Sequence, residues 1–295
     1  MNIIIEKARD AHALALFLTE VNQNKQTHIG YCGREYEWNL KALREDFQAA
    51  DGWLHFYIAK DYTGKIVAAL GADIEETTAE VWGPFSETDT VETQEKLWKQ
   101  FIKDYSAIQD YYFLLNEENL QQRHFMKKIR AEESGRHLQL NIKRADFKNV
   151  RDLQSVSFTP EDEAAFTKLH TETFPNTYYN AKTIISRLSN GNILKLLKDD
   201  AENLQGYAYF ELDYELEEAS LEYLSISPRY RGQGIGTVLL REVLTEIFSH
   251  PMFTEVQLTV EAANTAANHL YFQAGFKTGD TLISYRWKQG IHNLI

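Results

Sequence analysis

The chain is poor in cysteine: Cys32 is the only one in 295 residues. An internal disulfide framework is therefore excluded, and a reducing, cytoplasmic compartment is expected. Long apolar runs are missing as well, none approaching the roughly 20 residues of a spanning helix. The N-terminus, MNIIIEKARDAHALALFLTEV, has no basic leader, so neither a membrane partner nor a signal peptide is expected. Basic charge is scarce, with 31 Lys and Arg against 43 Asp and Glu and a formal net charge of −12. This disfavours nucleic acid, whose binding rests largely on phosphate contacts. The nine histidines are scattered, with no His-Glu-x-x-His and no cysteine cluster, so no metal site is expected. A Gly-x-Ser-x-Gly elbow for a hydrolase is also absent. What is present, 43% hydrophobic and 25% charged residues, matches an ordinary globular protein with ample core.

The order of elements repeats. In the second half, TPEDEAAFTKLHTETF begins with Thr159 as a helix cap and Pro160 in the first turn, and NAKTIISRL follows as a short helix. ILKLLKD, LQGYAYFELD and ASLEYLSIS read as strands. TVLLREVLTEIF puts Leu240, Val243, Leu244 and Ile247 on one face at helical spacing. EVQLTVEA alternates like a strand, NTAANHLYFQA reads as a helix stopped by Gly275, and TLISYRW closes with a strand. The first half runs in nearly the same order, from IIIEK through AEVWGPF, TQEKLWKQFIKDY, YYFLLNEE and NLQQRHFMKKI to HLQLNIKRADF. Two copies of one α/β module are expected, residues 1–147 and 151–295, each a mostly antiparallel mixed sheet flanked by helices.

Between the strand ASLEYLSIS and the helix stands SPRYRGQGIGT, with three glycines, two arginines and no carboxylate. Glycines let backbone N–H groups approach a phosphate, and a helix N-terminus adds partial positive charge. The Walker pattern fails because there is no lysine, and the dinucleotide pattern fails because Gly232, Gly234 and Gly236 are spaced by two. A nucleotide-dependent oxidoreductase is thereby left with one fitting feature, Glu261 as a ribose-binding acid.

Arg231-Gly-Gln-Gly-Ile-Gly236 resembles the Arg/Gln-x-x-Gly-x-Gly/Ala pyrophosphate loop of the GNAT superfamily of N-acetyltransferases. A second stretch, NTAANHLYFQAGF, resembles the family's Asn-x-x-Ala-x-x-Leu-Tyr-x-x-x-Gly-Phe pattern at Asn264, Ala267, Leu270, Tyr271, Gly275 and Phe276. The resemblance covers residues 155–290 and implies acetyl-coenzyme A as co-substrate. Arg231 and the N–H groups of Gly232, Gln233, Gly234, Ile235, Gly236 and Thr237 would hold its pyrophosphate. Leu224 and Ile226 would pair with the pantetheine arm, and Asn264 would bond to it while capping its helix. Tyr271 would donate to the leaving sulfur during direct transfer to an amine. The first copy departs from the pattern: WGPFSETDTVETQE has one glycine and four acidic residues, and its cofactor site is expected to be lost.

An amine needs a base, because a lysine-like group with pKa about 10.4 is mostly protonated at neutral pH. Glu222 is the candidate, although strand alternation leaves open whether it faces the cleft or the sheet edge. The run ELDYELEEASLE reads either as a solvated hairpin or as an acidic lip that attracts a small cationic acceptor or a protein amine. The expected activity is N-acetyl transfer to a primary amine. The alternative is a catalytically silent acetyl-coenzyme A sensor or interaction scaffold.

Overall fold

The computed structural model describes residues 3–87, 91–175 and 177–290. It divides into two compact units, Met1–His137 with Asp280–Ile295, and Leu138–Gly279.

Unit 1 begins with β1 (Ile4–Lys7), α1 (Ala11–Asn22) and α2 (Tyr36–Glu45). Asp10 caps α1 by accepting the His12 and Ala13 N–H groups at 3.0 and 3.1 Å, satisfying donors that a helix start leaves free. The antiparallel strands β2 (Phe56–Lys60), β3 (Ile66–Glu75) and β4 (Thr78–Ser86) follow, then α3 (Val91–Asp104), β5 (Asp110–Asn116) and α4 (Leu120–Ile129). β4 and β5 run parallel, with Thr78, Ala79 and Glu80 opposite Asp110, Tyr111 and Tyr112. The core is aromatic: Trp98 packs edge-on against Tyr111 and Trp287 at ring-centroid distances of 5.1 and 5.2 Å.

Strand β6 (Glu132–Lys143) leads into unit 2. There β7 (Val156–Ser157), α5 (Glu163–Thr173), α6 (Ala181–Arg187), β8 (Asn192–Lys198), β9 (Leu204–Asp213) and β10 (Glu218–Ile226) precede α7 (Ile235–Ser249), β11 (Glu255–Glu261) and α8 (Thr265–Ala274). Thr159 and Asp162 form a reciprocal capping box ahead of α5, which satisfies two donors at once. The sheet order is β6-β11-β10-β9-β8-β7. The face of α7 that carries Leu240, Val243, Leu244 and Ile247 is fully buried, each side chain stabilising the unit by about 1.5–3 kcal/mol.

Strand β12 (Lys277–Lys288) returns the chain to unit 1, where Leu282 to Lys288 pair antiparallel with β5 from Asn116 to Asp110. A division at residues 147 and 151 therefore needs correction. The strand after the last helix of each half is hydrogen-bonded into the other half's sheet, β6 beside β11 and β12 beside β5. The mixed α/β class and the mostly antiparallel pairing are as expected from the sequence.

Candidate active site

The glycine stretch forms a loop from the end of β10 to the first turn of α7. Gly232 and Gly234 have φ of +73° and +80°, the left-handed region that costs an ordinary residue about 1–2 kcal/mol. An added Cβ at either would meet nothing within 4 Å, so both open onto free space. Gly236 is needed for another reason: its Cβ would lie 3.3 Å from Leu270 and 3.4 Å from Ile226, where helix, strand and loop converge. Among the described residues, the N–H groups of Gly232, Gln233, Gly234, Ile235 and Gly236 have no protein acceptor. The Thr237 N–H is different, donating to Gly234 O at 3.0 Å. Arg231 donates from Nε to Ile226 O at 2.9 Å, which ties the loop back to its strand. Gln233 donates to Arg229 O at 3.1 Å and stays outside the cleft wall.

A cleft of about 670 Å³ runs from this loop along β10 and α8, within the usual size of ligand sites. Leu224, Ile226, Arg231, Gly232, Gly234 and Thr237 line it, together with Ile235, Gly236 and Asn264. Asn264 caps α8 by accepting the Ala267 N–H at 3.1 Å. Tyr271 follows Leu270, which lines the cleft, but does not line it itself. Its ring packs against Phe276 at 5.6 Å, and burial pushes its hydroxyl up to about 12. Two lining residues went unnoticed in the sequence. Thr173 and Ser225 share a 2.8 Å hydrogen bond between their hydroxyls, and neither belongs to a motif.

Glu222 stands at a bulge. Leu221 pairs with Phe210 and Tyr223 with Tyr209, so β10 carries one residue more than β9, and such an extra residue re-aims its side chain. The residue is exposed yet crowded by protein. Its carboxyl is held above the usual range by desolvation, opposed by a hydrogen bond with Ser220 and reinforced by the charge of Glu211. Glu211 itself is occupied, accepting from Arg187 at 2.9 and 3.0 Å and from the Tyr209 hydroxyl at 2.6 Å. The Arg187 guanidinium lies 4.4 Å from the Tyr179 ring centroid. His170 is packed under this wall, bonded to the Tyr207 hydroxyl at 2.6 Å and to Tyr179 O at 2.8 Å. Within the acidic run, Glu211 is neutralised by Arg187, whereas Glu222 has no salt bridge among the described residues.

β10 and β11 run parallel and pair at Ser220 opposite Gln257, with no further register pair between them among the described residues. Toward Ile226 the cleft opens beside β10. Residues 148–276 match the family model described as acetyltransferase (GNAT) family. The chain carries a GNAT domain. Over nearly its whole length it is similar to the crystal structure of a GCN5-related N-acetyltransferase from Sphaerobacter thermophilus, at 16% identity and a TM-score of 0.76, covering 99% of this chain and 98% of that one. A tandem GNAT protein from the clavulanic acid biosynthesis pathway is similar at 13% identity and a TM-score of 0.67, with 99% of each chain covered. An N-myristoyltransferase from Saccharomyces cerevisiae, solved with myristoyl-CoA, is similar at 9% identity and a TM-score of 0.53, covering 97% of this chain and 80% of that one. Both halves thus share the GNAT fold, and residues 148–276 match the acetyltransferase family model within it.

The two GNAT-like copies differ at the loop. In unit 1, Trp82, Phe85 and Ser86 at the end of β4 are buried, and Trp82 stacks on Trp38 at 5.6 Å. Of the four acidic residues there, Glu87 pairs with Lys65 at 2.8 Å, Glu92 with Lys96 at 2.7 Å and Glu95 with Lys128. Asp89, at the centre of the corresponding stretch, lies outside the described residues. Among the described residues no helix is long and apolar enough to cross a membrane, and no cluster of three or more metal-ligating side chains occurs.

Proposed function

We propose that unit 2 is an N-acetyltransferase using acetyl-coenzyme A and a primary amine on a small cationic acceptor or a protein, and that unit 1 has lost acyl-coenzyme A binding. The observation that carries this reading is the cleft where five unpaired loop N–H groups meet the end of β10 and the cap of α8. Those donors and the α7 dipole fit a pyrophosphate, and Gly232 and Gly234 leave room for it. Leu224 and Ile226 line the way for the arm, and Asn264 keeps its amide N–H₂ free for it while its oxygen serves the helix.

The co-substrate supplies an acyl group on a thioester. The acyl carbon exchanges its bond to sulfur for one to the amine nitrogen, the nitrogen loses a proton, and the sulfur leaves with the electron pair of its broken bond. Glu222 suits proton removal because a raised carboxyl pKa narrows the gap to an ammonium near 10.4. With Glu211 neutralised by Arg187, Glu222 also supplies the charge that favours a cationic acceptor. The Tyr271 phenol, at about 12, is the proposed hydrogen-bond donor to the departing sulfur, a role that requires its hydroxyl, which does not line the cleft in this structure, to reach the cleft when the co-substrate is bound. Full transfer to a thiolate near 8.5 would be uphill by about 5 kcal/mol.

The test is thiol release from acetyl-coenzyme A across amines, alcohols and buffer alone, with binding measured in parallel. Amine-dependent release that is lost in Gly234→Val is the expected result. Binding without turnover on any amine would leave the silent sensor standing, and no binding would remove both.

A further inference from the structure

We infer that residues 27–32 of unit 1 fill the gap between β4 and β5 that corresponds to the acyl-coenzyme A cleft of unit 2, so that the chain binds one acyl-coenzyme A and excludes a second. The ligand count rests on the function proposed for unit 2, whereas the closure of unit 1 rests on its own geometry.

The correspondence between the units is set by two asparagines. Asn119 and Asn264 cap α4 and α8 with nearly identical backbone angles, φ −77° and ψ 72° against φ −78° and ψ 73°. Each cap N–H donates three residues back, to Asn116 O at 2.9 Å and to Glu261 O at 3.0 Å. Each cap side chain accepts from the third residue onward, Gln122 at 3.1 Å and Ala267 at 3.1 Å. β5 residues 114–116 therefore correspond to β11 residues 259–261. One edge of β5 is taken by β12 along its whole length, and β4 covers the other edge only at Asp110, Tyr111 and Tyr112.

The uncovered part of that edge is taken by the chain itself. Ile29 forms an antiparallel bridge with Leu115. The Gly30 N–H donates to Leu114 O at 2.6 Å, and the Asn116 N–H donates to His28 O at 3.1 Å. The Asn119 side-chain amide, whose counterpart on Asn264 faces the cleft, donates to His28 O at 3.3 Å. A peptide carbonyl of residues 27–32 thus occupies the place at this cap where a ligand amide would be met in unit 2. The segment is held from behind by Asn22, which donates to Ile29 O, Cys32 O and Gly33 O at 3.3, 2.7 and 3.1 Å and accepts the Ile29 N–H at 2.8 Å. Ile29 is fully buried. Gly30 permits the approach, since a Cβ there would lie 2.7 Å from Leu114 Cγ. Among the described residues no isolated bridge occurs at 259–261 of unit 2. The loop that fills the gap joins α1 to α2 over residues 23–35, whereas its counterpart between α5 and α6 spans only residues 174–180.

Hydrogen exchange of the full-length protein with and without coenzyme A, together with native mass spectrometry, tests the inference. The expected result is slow exchange at residues 29, 30 and 116 without ligand, no change there when coenzyme A is added, and one coenzyme A per chain. In Gly30→Val, exchange at residues 27–32 and 114–116 should rise about tenfold or more as the segment is pushed off β5. Two coenzyme A per chain, a coenzyme A-dependent change at residues 27–32, or unaltered exchange in Gly30→Val would overturn it. Slow exchange with no coenzyme A bound would support the closure and count against the function proposed for unit 2 alone.

Discussion

Two side chains decide the proposed chemistry, and each has a distinguishing measurement. Tyr271→Phe keeps the ring against Phe276 and removes only the hydroxyl. Its turnover should fall about 10²-fold with acetyl-coenzyme A affinity unchanged, and equal turnover would remove the hydroxyl from the reaction. Glu222 must be ionised to accept a proton, and desolvation raises its pKa above the ordinary carboxyl value. The rate should therefore rise with pH through that raised pKa, at the acid end of the profile. Glu222→Gln should abolish this limb and slow turnover by about 10²-fold; persistence of the limb would assign the titration to another group. The glycines were the most legible residues in the sequence, because alternating glycines before a helix have few other uses. The bulge at Glu222 was not legible: one extra residue in β10 leaves no mark on a pattern of apolar alternation, yet it determines where the carboxylate goes.

Helices and strands were legible wherever their period was supported by caps. The α8 stop at Gly275, φ +105°, is written plainly in the sequence. Its counterpart in unit 1 is Arg130 at φ +61°, where the same turn is made without glycine at a cost of about 1 kcal/mol. The filled gap of unit 1 was hidden because residues 27–32 carry no periodic signal and act through backbone groups. That segment should nevertheless respond to pH. His28 is buried, and its imidazole is lowered to about 4 by desolvation, then by the charge of Arg34, with Asp280 opposing and Lys25 adding to the shift. When the segment is open, the ring titrates near 6.5, so the open form binds more protons between these values and closure weakens as pH falls. The full difference is about 3 kcal/mol. Protection at residues 27–32, taken relative to the intrinsic exchange rate of the amides at each pH, should fall from pH 6.5 toward 4, whereas His28→Asn should flatten the trend. An unchanged slope in that variant would place the sensitivity elsewhere.

At the scale of the molecule, the exchanged strands were beyond a reading of the sequence. TLISYRW has the alternation of a strand, but alternation names a face and not a neighbour. The partner of β12 is decided by pairing to β5, far away in the chain. Residues 151–295 expressed alone would lack the β6 residues that flank β11 and would keep residues 280–288 without β5. That piece should be insoluble or unfold well below the whole protein, whereas residues 138–279 contain every strand of unit 2. A cooperative melt of the 151–295 piece at the temperature of the whole chain would show that the exchange contributes nothing.

The placement of β12 also orders events during synthesis. A ribosome releases residues 1–137 long before residues 280–288 exist, so β5 must wait with one edge unpaired while all of unit 2 emerges. Over that interval unit 1 presents an open template to any other strand. The first half to be made is the last to be finished, and chaperone dependence during translation should centre on it.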